Sequence, residues 1–245
     1  MRQSASLVLG LYDARAPVLR RPLQPADASH LATLLLTEAG EYFYSASVSL
    51  CDGLNGVGGG YYSWATVKLY YAAFYCVSAL LARNGICVFH HGRKPRYMRA
   101  RPGSIPANAK GNTHKVAWEI FAQEFPNNVL LATIDGRMSY EWLRNLRDQA
   151  NYTNTAFWEP AVPPHFAWVD NAGVTRCVTA YAADTQFQYA FDKDHAAIAF
   201  PVECLKHAFD SLGSVAAGFA EDQKAFLAEC RRDCSAQALA SLVLK

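Results

Sequence analysis

Between Gly53 and Trp118 the chain contains no aspartate or glutamate. The same stretch holds Lys68, Arg83, Arg93, Lys94, Arg96, Arg99, Arg101, Lys110 and Lys115, so the middle of a chain with a net charge of only +2 carries nine positive charges. A field of one sign on this scale suits a polyanion such as nucleic acid or nucleotide, or an acidic protein, unless the acidic flanks fold back over it. Other absences narrow the chemistry. There is no Cys-x-x-Cys, no helix with paired histidines and no Gly-x-Ser-x-Gly elbow, so neither a metal nor a cofactor is expected. Cys230 and Cys234 are spaced i,i+4 but lack partners to complete a metal set. The seven cysteines are odd in number and scattered, which implies reduced thiols and a cytoplasmic protein. Gly56-Val57-Gly58-Gly59-Gly60 fits neither phosphate-binding glycine pattern, and no Lys-Ser/Thr follows it, so it reads as a flexible turn. The apolar run Leu7 to Leu11 is too short for a secretory leader, and Asp13 and Arg15 follow at once.

With 245 residues, 51% of them hydrophobic and 18% charged, the chain can bury a sizeable core. Residues 1–24 carry Pro17 and Pro22 among Arg15, Arg20 and Arg21, which predicts an irregular arm. A helical bundle is expected over 25–155 and an extension packed on it over 156–245. Pro25 suits a helix start, and Leu31, Leu35, Ala39, Phe43, Ala46 and Leu50 recur at helical spacing until Cys51-Asp52-Gly53. The next helix, Ser63 to Arg83, is apolar nearly all round, with Ser63 placed to cap it and Asn84-Gly85 to end it. Lys68 one turn in, and tyrosines spread through its middle, predict a bundle core rather than a membrane span. His90 to Lys110, with Pro95, Pro102 and Pro106, reads as a long basic connection. Helices then begin at Asn112 or Thr113, stopping before Pro126, and at Ser139, reaching about Tyr152. A short hairpin is expected within Phe166 to Tyr181, a helix opening at Pro201, and a last helix from Phe226 toward Leu242. The fold class is all-α.

On the Ser139 helix, at about 100° per residue, Arg147 falls only about 40° from Leu143, with Asn151 and Arg144 just beyond. A guanidinium at the edge of a buried face needs either a salt bridge, for which Glu41 and Asp148 are candidates, or an anionic ligand.

The order of a first amphipathic helix, the Ala65 to Leu81 helix with its Tyr70-Tyr71-Ala72-Ala73-Phe74, the Thr113-His114-Lys115 helix start and Leu143-Arg144-Asn145-Leu146-Arg147-Asp148-Gln149-Ala150-Asn151-Tyr152 resembles the HEPN superfamily (higher eukaryotes and prokaryotes nucleotide-binding) over roughly 25–155. The resemblance implies an up-and-down bundle that acts as a homodimer or as a subunit of a larger complex. Its cleft would carry metal-independent RNA cleavage in toxin-antitoxin or antiviral defence. Arg147 matches the family's arginine and Asp148 its polar position, while the histidine position falls on Tyr152. His114 then stands as the histidine, matching a Thr-His element of one branch. Arg144, Asn151, Lys68 and Tyr71, with Arg93, Lys94, Arg96, Arg99 and Arg101, are the residues expected to engage RNA or nucleotide. The alternative is a non-catalytic module that binds a nucleotide, or a partner such as a nucleotidyltransferase, through the same cleft.

Overall fold

A computed structural model describes residues 2–12, 21–216 and 218–232. Its elements in order are α1 (Gln3–Leu11), α2 (Pro25–Gly58), α3 (Tyr62–Arg83), β1 (Ile86–His91), β2 (Lys94–Arg99), β3 (Ala107–Asn108), α4 (Thr113–Glu124), β4 (Thr133–Ile134), β5 (Arg137–Met138), α5 (Ser139–Asp148), α6 (Ala167–Ala172), α7 (Val174–Ala183), α8 (Ala196–Leu212) and α9 (Glu221–Arg232). The fold is therefore helical with a small amount of antiparallel strand.

Its frame is the α2–α3 hairpin. Pro25 opens α2 with Asp27 in the first turn, both favourable where free N–H groups point out. The helix runs on for 34 residues, past Gly53 and through most of the glycine run, so the expected stop at Cys51-Asp52-Gly53 is corrected. The glycines serve close packing instead. A Cβ on Gly53 would lie 2.8 Å from Leu69 Cγ, and one on Gly56 3.1 Å from Ala65 Cβ. Only Gly60, at φ +76°, makes the reversal; the Tyr61 amide donates to the Gly56 carbonyl at 2.8 Å and closes it.

Nearly every face of α3 is covered, by α2, α8, α4, α5 and β1. Among the described residues it alone is long and apolar enough to cross a membrane, yet 83% of its apolar window is buried by the rest of the protein. What stays open is a strip at helical spacing: Trp64 and Lys68 exposed, Tyr71 and Tyr75 half-buried. Ser63 lies inside the first turn, and the cap comes from far along the chain. Glu159 accepts from the Ser63 amide at 2.7 Å and from its hydroxyl at 2.6 Å.

Several expectations yield to the packing. The arm expected over 1–24 contains α1, held because Glu38 accepts from the amide and hydroxyl of Ser4 at 2.8 and 2.6 Å; Arg15, Pro17 and Arg20 lie outside the described residues. The connection from His90 to Lys110 is largely sheet: β1 and β2 form a hairpin from Ile86↔Arg99 to His91↔Lys94, turning at Gly92-Arg93 with Gly92 at φ +61°. Proline had excluded a helix there, but Pro95 sits near the start of β2, where a strand tolerates it. The hairpin expected within Phe166 to Tyr181 is instead α6 and α7, broken at Gly173, with Val169, Cys177, Val178 and Tyr181 buried at helical intervals. Pro201 lies inside α8, five residues past its start. α8 packs on both α2 and α3, joining the C-terminal part to the same core. The stretch toward Leu242 lies outside the described residues beyond Arg232.

Replacing Gly53 by valine should overpack the α2–α3 contact and cost about 1–3 kcal/mol, read as a lower midpoint in urea. A second expectation concerns His165, 8% exposed. Thr66 donates its hydroxyl to the Tyr62 carbonyl, so His165 Nε2, 3.2 Å from Thr66 Oγ1, must carry the proton it donates. Burial lowers the pKa of this imidazole from 6.5 to about 4. An unfolded chain takes up that proton first, so the contribution is complete above pH 6.5 and is lost as pH falls toward 4. The loss is on the order of 3 kcal/mol. Urea titrations across that range should show it, and His165→Gln should flatten it.

Candidate functional site

α5 begins directly after β5, with Ser139 buried and its hydroxyl donating to the Leu130 carbonyl at 2.7 Å. This docking fixes the rotation of α5, placing Tyr140, Leu143 and Arg147 against the core. Arg147 is buried, as its place on the helix predicts. Its guanidinium carbon stands 4.5 Å from the ring centroid of Tyr70, a cation–π contact. Of the two acidic partners open in the sequence, Asp148 takes the ion pair, at 2.8 Å. Tyr70 shares a 3.0 Å hydrogen bond with the hydroxyl of fully buried Tyr140, and burial raises both phenol pKa values.

α5 does not continue to Tyr152 as an α-helix. Residues Gln149–Thr153 form a π turn, closed by the Asn154 amide on the Gln149 carbonyl at 3.1 Å. In an α-helix Tyr152 would face about 140° away from Arg147. Widening the turn brings position i+5 over position i, and the Tyr152 ring centroid comes to 5.8 Å from the Arg147 guanidinium carbon. Tyr152 is 74% exposed and so forms the outer wall.

His114 reaches the same place from α4. Asn112 caps this helix, its side chain accepting from the Lys115 amide at 3.0 Å, and so sets its first turn against α3. The imidazole packs 4.3 Å from Phe74, 5.5 Å from Tyr71 and 5.6 Å from Tyr70, centroid to centroid. Burial lowers its pKa below 6.5, and the nearby Arg147 and Arg144 charges lower it further against a smaller opposing effect of Asp148. The ring is therefore neutral near pH 7. Two buried nitrogens of this cluster, Arg147 Nε and His114 Nδ1, have no hydrogen-bond partner among the described residues. Leaving such groups unpaired is costly, so their pairing with a ligand or solvent would be favourable.

Thus Arg147, His114, Asp148, Tyr152, Tyr71 and Arg144 come together, with Asn151 beside them in the π turn. Lys68 shares the open strip of α3 but is paired to Asp52 at 2.9 Å. The basic hairpin is a separate element. Arg99 pairs with Glu124 at the far end of α4 from His114, Ala109 donates to the Pro95 carbonyl, and Arg93, Lys94 and Arg101 are on the turn, the strand and its exit. Arg96 Nε is buried without a hydrogen-bond partner among the described residues. Acidic flanks do fold back over part of the positive stretch, at Lys68, Arg99 and, through Glu119, Lys115. Tyr140 is the residue that sequence reasoning missed, and nothing in the spacing of Tyr70 on α3 shows that it would carry the arginine. Among the described residues no group of three His, Cys, Asp or Glu could hold a metal ion.

Replacing Arg147 by glutamine removes a positive charge beside His114. The imidazole pKa should then rise toward the ordinary value, and a proton NMR titration of the ring would detect the shift. Searches of protein-family models, of curated proteins and of solved structures return no match to this chain, so the site is defined by its own geometry.

Proposed function

We propose that the Arg147–His114 cluster is a HEPN-like site that engages a phosphate of RNA or of a nucleotide, and that with RNA it acts as a metal-independent endoribonuclease. The observation that carries this reading is the pairing of a buried guanidinium with a neutral imidazole, each with a ring or guanidine nitrogen lacking a partner among the described residues. A phosphate oxygen that reaches the guanidinium would accept from it, while the imidazole is left to take a proton. The base form of His114 is the one that takes a proton near neutrality. It removes the proton of a ribose 2′-hydroxyl; the 2′-oxygen bonds to the adjacent phosphorus, the bond to the 5′-oxygen breaks, and a cyclic phosphate remains. Arg147 offsets the charge that builds on the phosphate, and the exposed phenol of Tyr152 can return a proton to the departing 5′-oxygen.

A second reading rests on Tyr152 itself. A tyrosine stands where the family carries histidine, which favours a module that binds nucleotide or a partner protein without cleaving. In either reading the chain works as a homodimer or within a larger complex. Exposed Trp64 and Phe157, in edge contact at 6.0 Å, offer an apolar surface for that association.

Incubation with total RNA in EDTA separates the readings. Cleavage that falls at least 100-fold in both Arg147→Ala and His114→Ala would support the ribonuclease. Salt-sensitive binding without cleavage would favour the module. Neither cleavage nor binding of RNA or nucleotide by the wild-type protein would overturn the phosphate-engaging site.

A further inference from the structure

The C-terminal elements line an open-sided cavity that shares no residue with the Arg147 cluster. α6, α7 and the segment leading into α8 surround about 410 Å³, a volume within the range of small-molecule sites. Its walls are aromatic, and His195 is their hub. The imidazole centroid lies 5.3 Å from Trp168, 5.0 Å from Tyr189 and 5.8 Å from Tyr181, with each ring turned steeply to it. The Tyr181 hydroxyl holds His195 Nδ1 at 2.9 Å, and Nε2 has no hydrogen-bond partner among the described residues. Asn171 spends its amide N–H on the Ala167 carbonyl at 2.8 Å and keeps its oxygen as an acceptor. Trp168 is 56% exposed, an unusual expense for an indole unless a second flat surface covers it.

Charge selects among planar ligands. Arg176 lines the cavity with no ion pair among the described residues, and no carboxylate lines it. An aromatic box built for an ammonium group would lack such an arginine, because the cation would meet like charge as it entered. A flat heterocycle with a donor-acceptor edge and an attached anion matches every wall. Aromatic faces stack on any base, and a guanidinium pairs with phosphate through parallel hydrogen bonds.

We propose that this cavity binds a nucleotide by its base, stacked against Trp168 and Tyr189, with His195 and Asn171 reading the base edge and Arg176 holding the phosphate. A free mononucleotide and an unpaired residue of single-stranded RNA present the same group. The site stands whether or not the Arg147 cluster cleaves RNA.

Calorimetric titration of the full chain with AMP, GMP, CMP and UMP, with the parent nucleosides and with single-stranded hexanucleotides tests it. At least one nucleotide should bind saturably to the Arg147→Ala protein, in which the other proposed phosphate site is removed, and Trp168→Ala and Arg176→Ala introduced into that background should each weaken it at least tenfold. Removing the phosphate should weaken binding to the Arg147→Ala protein several-fold and make no difference once Arg176→Ala is added. Tighter binding of a hexanucleotide than of its mononucleotide identifies RNA as the source; equal or weaker binding identifies the free nucleotide. Both replaced cavity side chains are exposed, and an unchanged far-ultraviolet dichroism spectrum will show that the helices persist. Absence of saturation by all of these ligands at millimolar concentration would overturn the proposal, as would binding that survives both cavity substitutions.

Discussion

α3 is a helix with almost no face suited to water, and the rest of the molecule is arranged to cover it. Burying this much apolar surface is the largest favourable contribution available to such a fold. Two long helices, α2 and α8, two short ones, α4 and α5, and the strand β1 each take a side. The glycines of α2 follow from the same demand. A helix pays roughly 1 kcal/mol for each interior glycine relative to alanine, and closer contact with Leu69 and Ala65 offsets that here.

Covering α3 also buries its polar side chains, and each must be paired inside the protein. Ser63 receives Glu159, Thr66 receives His165, and Tyr70 receives Tyr140 and the face of Arg147. These contacts pull segments some 70 to 100 positions away onto one helix. Glu38 binds Ser4 of α1 by the same two-oxygen geometry that Glu159 uses on Ser63, so two helix starts are capped by distant carboxylates. The candidate site is a by-product of this arrangement, since Tyr70 faces inward and Arg147 and His114 arrive as parts of the elements that seal α3.

How legible each feature was depends on whether its cause is local. Asn112 capping α4 and the position of Arg147 at the edge of a buried face follow from helical geometry and were readable. The β1–β2 hairpin was not, because Pro95 rules out a helix without ruling out a strand start. Residues Phe166 to Tyr181 resemble a strand in composition, yet α2 and α8 offer them a helical groove, and packing overrides weak propensity.

The sequence by itself determined that Ser63 to Asn84 must be an interior helix, because its apolar residues leave no polar face and its lysine and central tyrosines do not suit lipid. It also singled out Arg147, since a charge at a core edge always demands a partner. Only the tertiary structure decided what those partners are. Tyr70 and His114 converge on the guanidinium because α4 and α5 both pack on α3, while Asp148 pairs with it from the next position and the π turn carries Tyr152 over it. Spacing along a chain specifies which face a residue occupies, whereas the neighbour across that face depends on how separate elements dock.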